Sequence, residues 1–336
     1  MEKVRGYRGD IQVLTFCGWQ HLYSIVGLKT KIICPDFSTG YSKLKDATTT
    51  SSVEVADFFN FVSSRVRLAM TDNQKLFAKP PSYNKHKAFV ISNMTSHSSL
   101  MGVTFPVEGY SKSAFEKIFS SPLDFFDDFD FVFMATVSLI ISMGKFDSKN
   151  NRVKLVAKDH EKYSEIISFV FNACKVMSFV FELGSGNKER TIYIYPNDSL
   201  RSIIDFSNMS IKRFYKWCYI SSPMMKLGAY YGLIMGRNTK YNKRNLHVIY
   251  SRNYQIIKLA EVCASYYGYD FHENQRASMT GNFGVTNINS NIPIKVNRYD
   301  GEIINNHRME VFQFETDARF SHLRGCPYTF GYVAGV

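Results

Sequence analysis

The chain has 336 residues and a mass of 38.7 kDa, enough for one large domain or two modest ones. Its 45% hydrophobic and 21% charged residues exclude a disordered, collagen-like or low-complexity protein. The net charge of +12 favours an acidic partner such as nucleic acid, or an assembly whose subunits compensate the charge. A solvated basic surface is the plain alternative.

The N-terminus shows no apolar run like that of a signal peptide, because Glu2, Lys3, Arg5 and Arg8 open the chain. The longest apolar stretch, residues 129–143, is too short to span a bilayer and contains a charge. We therefore expect a soluble, intracellular protein that is not secreted and has no membrane partner.

In chain order, helical spacing of apolar residues first predicts an amphipathic helix over 53–68. Strands are predicted at Ala88–Ile91 and Leu100–Phe105, and a short helix at Ser111–Ser120. The clearest predicted strand is Phe129–Ile141, where apolar residues alternate. Its other face is almost as apolar, which predicts a central position in a sheet or sandwich.

Further along, a hairpin is predicted between Met177–Leu183 and Arg190–Tyr195, around the glycine-rich turn 184–187. Helices are predicted at Ser207–Ile220 and Tyr254–Tyr267. The last third predicts strands and turns, with strands at Ile292–Val296, Met309–Phe314 and Tyr328–Val333.

No repeat at a fixed period is visible and no long linker divides the chain, which predicts a single structural domain over 1–336. The mixture of elements predicts a β-rich α+β fold, with an antiparallel, jelly-roll-like β-sandwich and peripheral helices.

The sequence offers little catalytic chemistry, since it contains no nucleophile elbow, zinc-protease motif or dinucleotide fingerprint. The acidic run Asp124, Asp127, Asp128 and Asp130 could in principle bind a divalent metal. It has no glycine for the turn and alternates with phenylalanines, so it predicts an acidic loop before a buried element. We expect no enzyme activity, no cofactor and no metal. The six scattered cysteines predict buried free thiols.

Two basic segments are candidates for binding. In the first, Lys212, Arg213, Lys216 and Trp217 interleave cations with an aromatic ring on a predicted helix, as nucleic-acid-binding surfaces do. The alternative, which we expect, is an amphipathic helix with Trp217 buried and the cations solvated.

The second basic segment is a polar loop that contains Arg237, Lys240, Lys243 and Arg244. Such a loop is typical of a nuclear-import signal or an interaction contact, and equally of an exposed loop.

Spaced fragments of the chain resemble a known family. The central fragments are Ala88–Asn93, Leu100–Val103, Gly109-Tyr110, Phe115–Phe119, Pro122 and Phe131–Phe133. Those of the C-terminal part are Pro293-Ile294, Asp300, Glu302, Met309–Phe312, Pro327, Gly331 and Tyr332. In order and type they are similar to the polyhedrin and granulin family, the occlusion-body proteins of baculoviruses and nudiviruses. Residues 145–250 have no counterpart and would be a helical and hairpin insertion.

The resemblance implies a non-enzymatic viral structural protein that self-assembles, from trimers, into a crystal embedding virions in the host nucleus. Such an assembly is expected to be stable near neutrality and to dissolve past about pH 10, where tyrosines and lysines titrate. The rival interpretation is a nucleic-acid-binding viral nucleoprotein that uses a basic aromatic surface.

Overall fold

The computed structural model describes residues 5–63, 66–94, 98–102, 105–157, 159–184, 190–236, 246–275, 282–287, 294–296, 300–325 and 332–335. Within these ranges the helices are α1 (Lys112–Ser120), α2 (Phe129–Met143), α3 (His160–Met177), α4 (Asp198–Ile203), α5 (Phe214–Ile220), α6 (Pro223–Gly236) and α7 (Tyr254–Tyr266).

The strands in the first half of the chain are β1 (Ile11–Thr15), β2 (Gly18–His21), β3 (Lys29–Asp36), β4 (Tyr41–Val62), β5 (Arg67–Thr71), β6 (Lys75–Lys79), β7 (Lys87–Val90), β8 (Ser98–Leu100), β9 (Lys145–Asp147) and β10 (Arg152–Val156). Those in the second half are β11 (Val180–Leu183), β12 (Thr191–Tyr195), β13 (Ile204–Asp205), β14 (Ser210–Ile211), β15 (Leu246–Ser251), β16 (Asp270–Gln275), β17 (Asn282–Asn287), β18 (Ile294–Val296), β19 (Glu302–Glu315), β20 (Phe320–Gly325) and β21 (Tyr332–Gly335).

A 12-stranded antiparallel sheet combines strands from both ends of the chain in the order β18-β8-β6-β21-β20-β1-β3-β4-β19, with β2, β5 and β7 attached to it. It has two open edges rather than a closed barrel. The sheet has a hydrophobic core of its own, which includes Ile11, Leu68, Leu76 and Leu323. The predicted α+β class with antiparallel sheets is therefore confirmed.

A second, larger core lies around the helices and two smaller sheets. One of these is four-stranded, in the order β11-β12-β10-β9, and the other has the order β15-β17-β16. Helix α2 is central to this core, since residues 131–142 are all buried. The segment 145–250, which the resemblance leaves without a counterpart, lies within the part of the chain that builds this core.

The prediction of a strand at Phe129–Ile141 was wrong, because these residues form helix α2. The Asp128 carboxylate accepts a hydrogen bond from the Phe131 amide at 2.9 Å and caps the helix. When all faces of a segment are apolar, alternation does not distinguish a strand from a helix, and length favours the helix. The segment Phe131–Phe133, which the resemblance matches to a long strand, is therefore helical.

The prediction of an amphipathic helix over 53–68 was also wrong. These residues form the end of β4 and the start of β5, which pair with Phe59 opposite Met70. Val53 and Val55 are 62% and 61% exposed, whereas Phe58, Phe59 and Phe61 are buried, so the apolar residues do not form one continuous buried stripe. The three valines and three phenylalanines between 53 and 62 favour a strand.

Several elements lie close to their predicted positions: α1, α7, β7, β18, β19 and the antiparallel β11–β12 pair. The predicted strand Leu100–Phe105 is represented by β8, which ends at Leu100. The predicted helix Ser207–Ile220 starts only at Phe214, because Arg213 adopts a left-handed φ of 51° that interrupts a helix. Residues 185–187 of the predicted turn lie outside the described residues. No helix among the described residues is long and apolar enough to cross a membrane.

Candidate nucleic-acid interface

Helices α2 and α6 pack against each other in parallel. Gly228 faces the Phe131 carbonyl and Gly232 faces the Ala135 carbonyl, so that a Cβ atom at either glycine would overlap the backbone of α2. The Ser222 hydroxyl joins the N-terminal ends by donating to Asp130 at 2.6 Å. The two helices therefore approach closely because these glycines have no side chain.

An internal structural repeat surrounds this helix pair. Helices α2 and α6 start 94 residues apart, at 129 and 223, as do β10 and β15 at 152 and 246, and α3 and α7 at 160 and 254. The sheet order β11-β12-β10 corresponds to β16-β17-β15. Apart from β9, each half thus runs helix, strand, helix, strand, strand, and the parallel helix pair lies where the halves meet. This repeat is one of structure and is not visible as a repeat in the sequence.

The cap residues are the sequence signal that could have revealed the repeat. Asp128 caps α2 and Ser222 caps α6, by accepting from the amides of Phe131 and Met225 respectively. Asp159 and Asn253 cap α3 and α7 in the same way. Each pair of caps is again 94 residues apart, although the residue types differ.

The outer face of the four-stranded sheet carries cations beside tyrosine rings. Val153, Leu155, Ile192 and Ile194 point into the core, so the alternate residues face outward. One outward row places Lys145 opposite Lys154, and Lys154 opposite Tyr193. This face of the sheet therefore carries two lysines beside a tyrosine.

The neighbouring row contains a paired arginine. The Arg152 guanidinium lies 3.8 Å from the Tyr193 ring centroid and 3.4 Å from the Asp147 carboxylate. Its pKa is raised, chiefly by a hydrogen bond with Tyr195. The pKa of Asp147 is lowered, chiefly by a hydrogen bond from Asn150. Arg152 is thus a fixed cation on a planar aromatic surface.

Positive charge is concentrated in this part of the chain. Residues 145–252 contain 19 of the 41 Lys and Arg residues but only 8 of the 29 Asp and Glu residues. This third of the chain therefore carries +11 of the net +12. Counting charge by segment would have located the basic region from sequence alone.

The first basic segment proposed from sequence lies on α5 and just before it. Trp217 is buried against Phe214, with ring centroids 5.9 Å apart, so its predicted burial is confirmed. Lys212, Arg213 and Lys216 are exposed. The aromatic rings that share their surface are those of Tyr215 and Tyr219, which are 65% and 60% exposed. The second segment, with Arg237, Lys240, Lys243 and Arg244, lies outside the described residues.

Lys226 of α6 is a buried cation whose described hydrogen bonds go to uncharged oxygen atoms. Its ammonium donates to the Ser221 hydroxyl at 2.6 Å, the Ser221 carbonyl at 2.9 Å and the Tyr110 hydroxyl at 3.1 Å. The Tyr266 ring centroid lies 4.2 Å away. Burial lowers the pKa of Lys226 to about 8. Since Lys226 is only 1% exposed, it serves packing rather than ligand binding.

A second buried polar cluster joins the two cores. Glu261 of α7 accepts from Lys258 at 2.6 Å and from Arg324 of β20 at 2.8 Å. Arg324 also donates to Gln12 of β1 at 2.6 Å. The cluster fixes α7 of the repeat unit against the large sheet.

The acidic run serves structure in the described residues. Asp124 pairs with Lys117 at 2.7 Å, and Asp128 and Asp130 hold the starts of α2 and α6 as described above. Across the part of the chain that is described, His, Cys, Asp and Glu do not form a group able to hold a metal ion. Cys17, Cys34, Cys174, Cys218 and Cys263 are free thiols.

Comparison with known proteins gives matches among solved structures, of which one of low similarity is described here. No protein-family model matches the chain, and no curated protein matches it. The crystal structure of the N-terminal LAGLIDADG domain of DUF199/WhiA is similar over 56% of this chain and 86% of that domain. The TM-score is 0.33 and the sequence identity is 14%, which is too low to establish a shared fold.

Proposed function

We propose that the repeat unit, residues 129–287, binds duplex nucleic acid through the outer faces of its two small sheets. The observation that carries the proposal is the charge distribution: residues 145–252 hold +11 of the net +12. Nucleic-acid affinity comes mainly from cations that neutralise phosphates, so this segment is where a polyanion would bind most strongly.

The outward row of the four-stranded sheet suits phosphate contacts. Lys145 and Lys154 face each other across β9 and β10, and Arg152 lies one row away against the Tyr193 ring. Ammonium groups bind phosphates as point charges, while a guanidinium fixed on an aromatic ring can make a bidentate contact. A sheet also offers these groups in a fixed spacing, as in proteins that read DNA with strands.

The internal repeat supports a duplex rather than a single strand as the ligand. The repeated strand order places a corresponding sheet, β15-β17-β16, in the other half of the unit. A duplex backbone has approximate two-fold symmetry, and paired protein surfaces commonly match it.

Binding of a labelled random-sequence DNA duplex, followed by fluorescence anisotropy, tests the proposal. We expect Lys145→Ala/Lys154→Ala to weaken binding by about tenfold or more at low salt and to reduce the slope of log K against log salt by about 2, since each phosphate contact adds roughly 0.9 to the slope. The matched control is Lys29→Ala/Lys85→Ala, which removes two exposed lysines in or beside the large sheet. Equal losses in the two double variants, or no salt-dependent binding by the parent chain, would contradict the proposal.

Self-assembly into an occlusion-body crystal in the host nucleus is a second candidate, which the family resemblance suggests. The observation that favours it is the exposure of apolar side chains on the paired strands β4 and β19, namely Val53, Val55 and Ile303, the last 45% exposed. Exposed apolar patches commonly mark contacts between proteins. Analytical ultracentrifugation at neutral pH is expected to show association that Val53→Ser/Val55→Ser abolishes. A concentration-independent monomer would rule this candidate out.

A further inference from the structure

We propose that the surface around α5, formed by Lys212, Arg213, Tyr215, Lys216 and Tyr219, binds single-stranded nucleic acid as a second site, apart from the small-sheet face. The proposal rests on this surface alone and does not require the duplex proposal to be correct. It replaces the ring suggested by the sequence, Trp217, by two rings that are accessible to a ligand.

The aromatic half of the site is a pair of tyrosines on one helix face. Tyr215 and Tyr219 are separated by one helical turn, so their side chains lie on the same side of α5. More than half of each side chain is exposed. Largely exposed tyrosine rings offer faces on which unpaired bases stack, and such stacking tolerates any base.

Contacts beside and beneath α5 hold the two tyrosine rings in place. Phe16 contacts the Tyr219 ring edge-on, at a centroid distance of 6.0 Å. Phe214 and Trp217 pack beneath α5, and the Trp217 side chain is buried. Because the buried face anchors this short helix, Tyr215 and Tyr219 are presented to solvent at a fixed spacing, which lowers the entropic cost of binding.

The cationic half surrounds the same rings. Lys212, Arg213 and Lys216 are exposed, and among the described residues none of the three is in an ion pair. The Lys212 ammonium donates to the Arg201 carbonyl at 2.6 Å, which holds this cation beside the helix. Three cations interleaved with two open rings match the phosphates and bases of a single strand.

The chemistry of the site favours a single strand over the other polyanions. In a duplex the bases are stacked inside the helix and cannot reach the tyrosine rings. The site also differs in position from the sheet face. Helix α5 precedes the N-terminal end of α6, whereas Lys145 follows the C-terminal end of the parallel helix α2, roughly 20 Å away along the pair.

The experiment measures anisotropy of labelled oligo-dT with the full chain. We expect Tyr215→Ala/Tyr219→Ala to weaken binding by about tenfold or more, because each stacked base contributes a factor of roughly five or more. Tyr215→Phe/Tyr219→Phe is expected to retain the affinity, since the aromatic ring and not the hydroxyl stacks on the base. The matched control, Tyr23→Ala/Tyr41→Ala, removes two exposed tyrosines elsewhere and is expected to change nothing.

A second arm separates the cations and the alternative ligands. Lys212→Ala/Lys216→Ala is expected to lower the salt slope for oligo-dT by about 1.4, at roughly 0.7 per phosphate of a single strand. Duplex binding is expected to be unchanged in all of these variants, so failure here and failure of the duplex proposal are distinguishable. Equal oligo-dT affinity of the tyrosine-to-alanine variant and the parent would overturn the proposal. So would binding to phosphatidylserine vesicles without binding to oligo-dT.

Discussion

At the scale of single residues, Lys226 shows how burial changes chemistry. Its ammonium is surrounded by Ser221, Tyr110 and the Tyr266 ring, with the hydroxyl and carbonyl contacts satisfied. Burial lowers its pKa to about 8, below the ordinary lysine value of 10.5. The folded protein therefore releases this proton at a lower pH than the unfolded chain does.

The sign of the resulting pH dependence follows from proton linkage. Between about pH 8 and 10.5 the unfolded state binds more protons, so the free energy of unfolding rises with pH by roughly 3 kcal/mol in total. We expect Lys226→Met to lose this rise, and chemical denaturation at several pH values measures it. Lys216→Met, at an exposed site, is the control and is expected to follow the parent chain. Parallel pH profiles of the parent and Lys226→Met would contradict this assignment.

At the scale of elements, the α2–α6 contact depends on glycines of two kinds. A methyl group at Gly232 would overlap the Ala135 backbone carbonyl, whereas one at Gly236 would meet the Ser142 hydroxyl. We expect Gly232→Ala and Gly236→Ala each to lower the free energy of unfolding by about 1–3 kcal/mol or more.

A second-site change distinguishes the two kinds of contact. Ser142→Ala removes the obstructing oxygen and is expected to restore part of the stability of Gly236→Ala. Ala135→Gly leaves the carbonyl in place and is expected to give no recovery for Gly232→Ala. Urea denaturation of the single and double variants measures both couplings. Recovery by Ala135→Gly would show that the helices do not meet through the backbone.

The elements also show what sequence could and could not supply. Helices α1 and α7 were predictable because polar residues recur among apolar ones at helical spacing and each helix has a clear cap, Ser111 and Asn253 respectively. Helix α2 was not, since its burial on all sides removes the period that marks a helix. The 53–68 segment was predicted wrongly because its apolar residues recur at helical spacing, although residues 53–62 form part of strand β4.

The candidate sites were partly predictable for the same kind of reason. Composition located an excess of cations, and the Lys212–Trp217 segment was recognisable as basic and aromatic. Which ring faces solvent depends on how α5 packs, and the left-handed Arg213 sets that orientation. The Lys145–Lys154 pair depends on sheet register, which no local pattern encodes.

At the scale of the whole molecule, buried tyrosines set the alkaline limit of the fold. Burial raises the pKa of Tyr7, Tyr110, Tyr231, Tyr266, Tyr267, Tyr269 and Tyr332 above the ordinary value. In the unfolded chain these phenols ionise near pH 10. Stability from keeping them neutral is therefore complete below about pH 10 and is lost as the pH rises further.

We expect cooperative unfolding above about pH 10, in which phenolate absorbance and loss of circular dichroism occur together. The outcome bears on the alkaline dissolution expected of an assembly, because unfolding of the subunit would by itself dissolve a crystal. Complete phenolate formation with an unchanged dichroism spectrum would contradict the burial of these tyrosines.

At the same scale, the net positive charge is concentrated in one part of the chain. Outside residues 145–252 the chain holds 22 basic and 21 acidic residues and is nearly neutral. The large sheet is thus not suited to a polyanion, while the repeat unit is. The buried Glu261–Arg324 pair connects the large sheet with the repeat unit. We therefore expect ligand binding to the repeat unit to raise the stability of the large sheet as well.

Hydrogen–deuterium exchange of the full chain with and without a random-sequence DNA duplex tests the central claim most directly. We predict slower exchange in β9, β10 and β12, whose outer face carries Lys145, Lys154 and Arg152. We predict little change in the antiparallel pair of strands β4 and β19, the β4–β19 ribbon. Protection confined to the β4–β19 ribbon, or absent from β9 and β10 at saturating duplex, would contradict the assignment of the nucleic-acid interface to the small sheets.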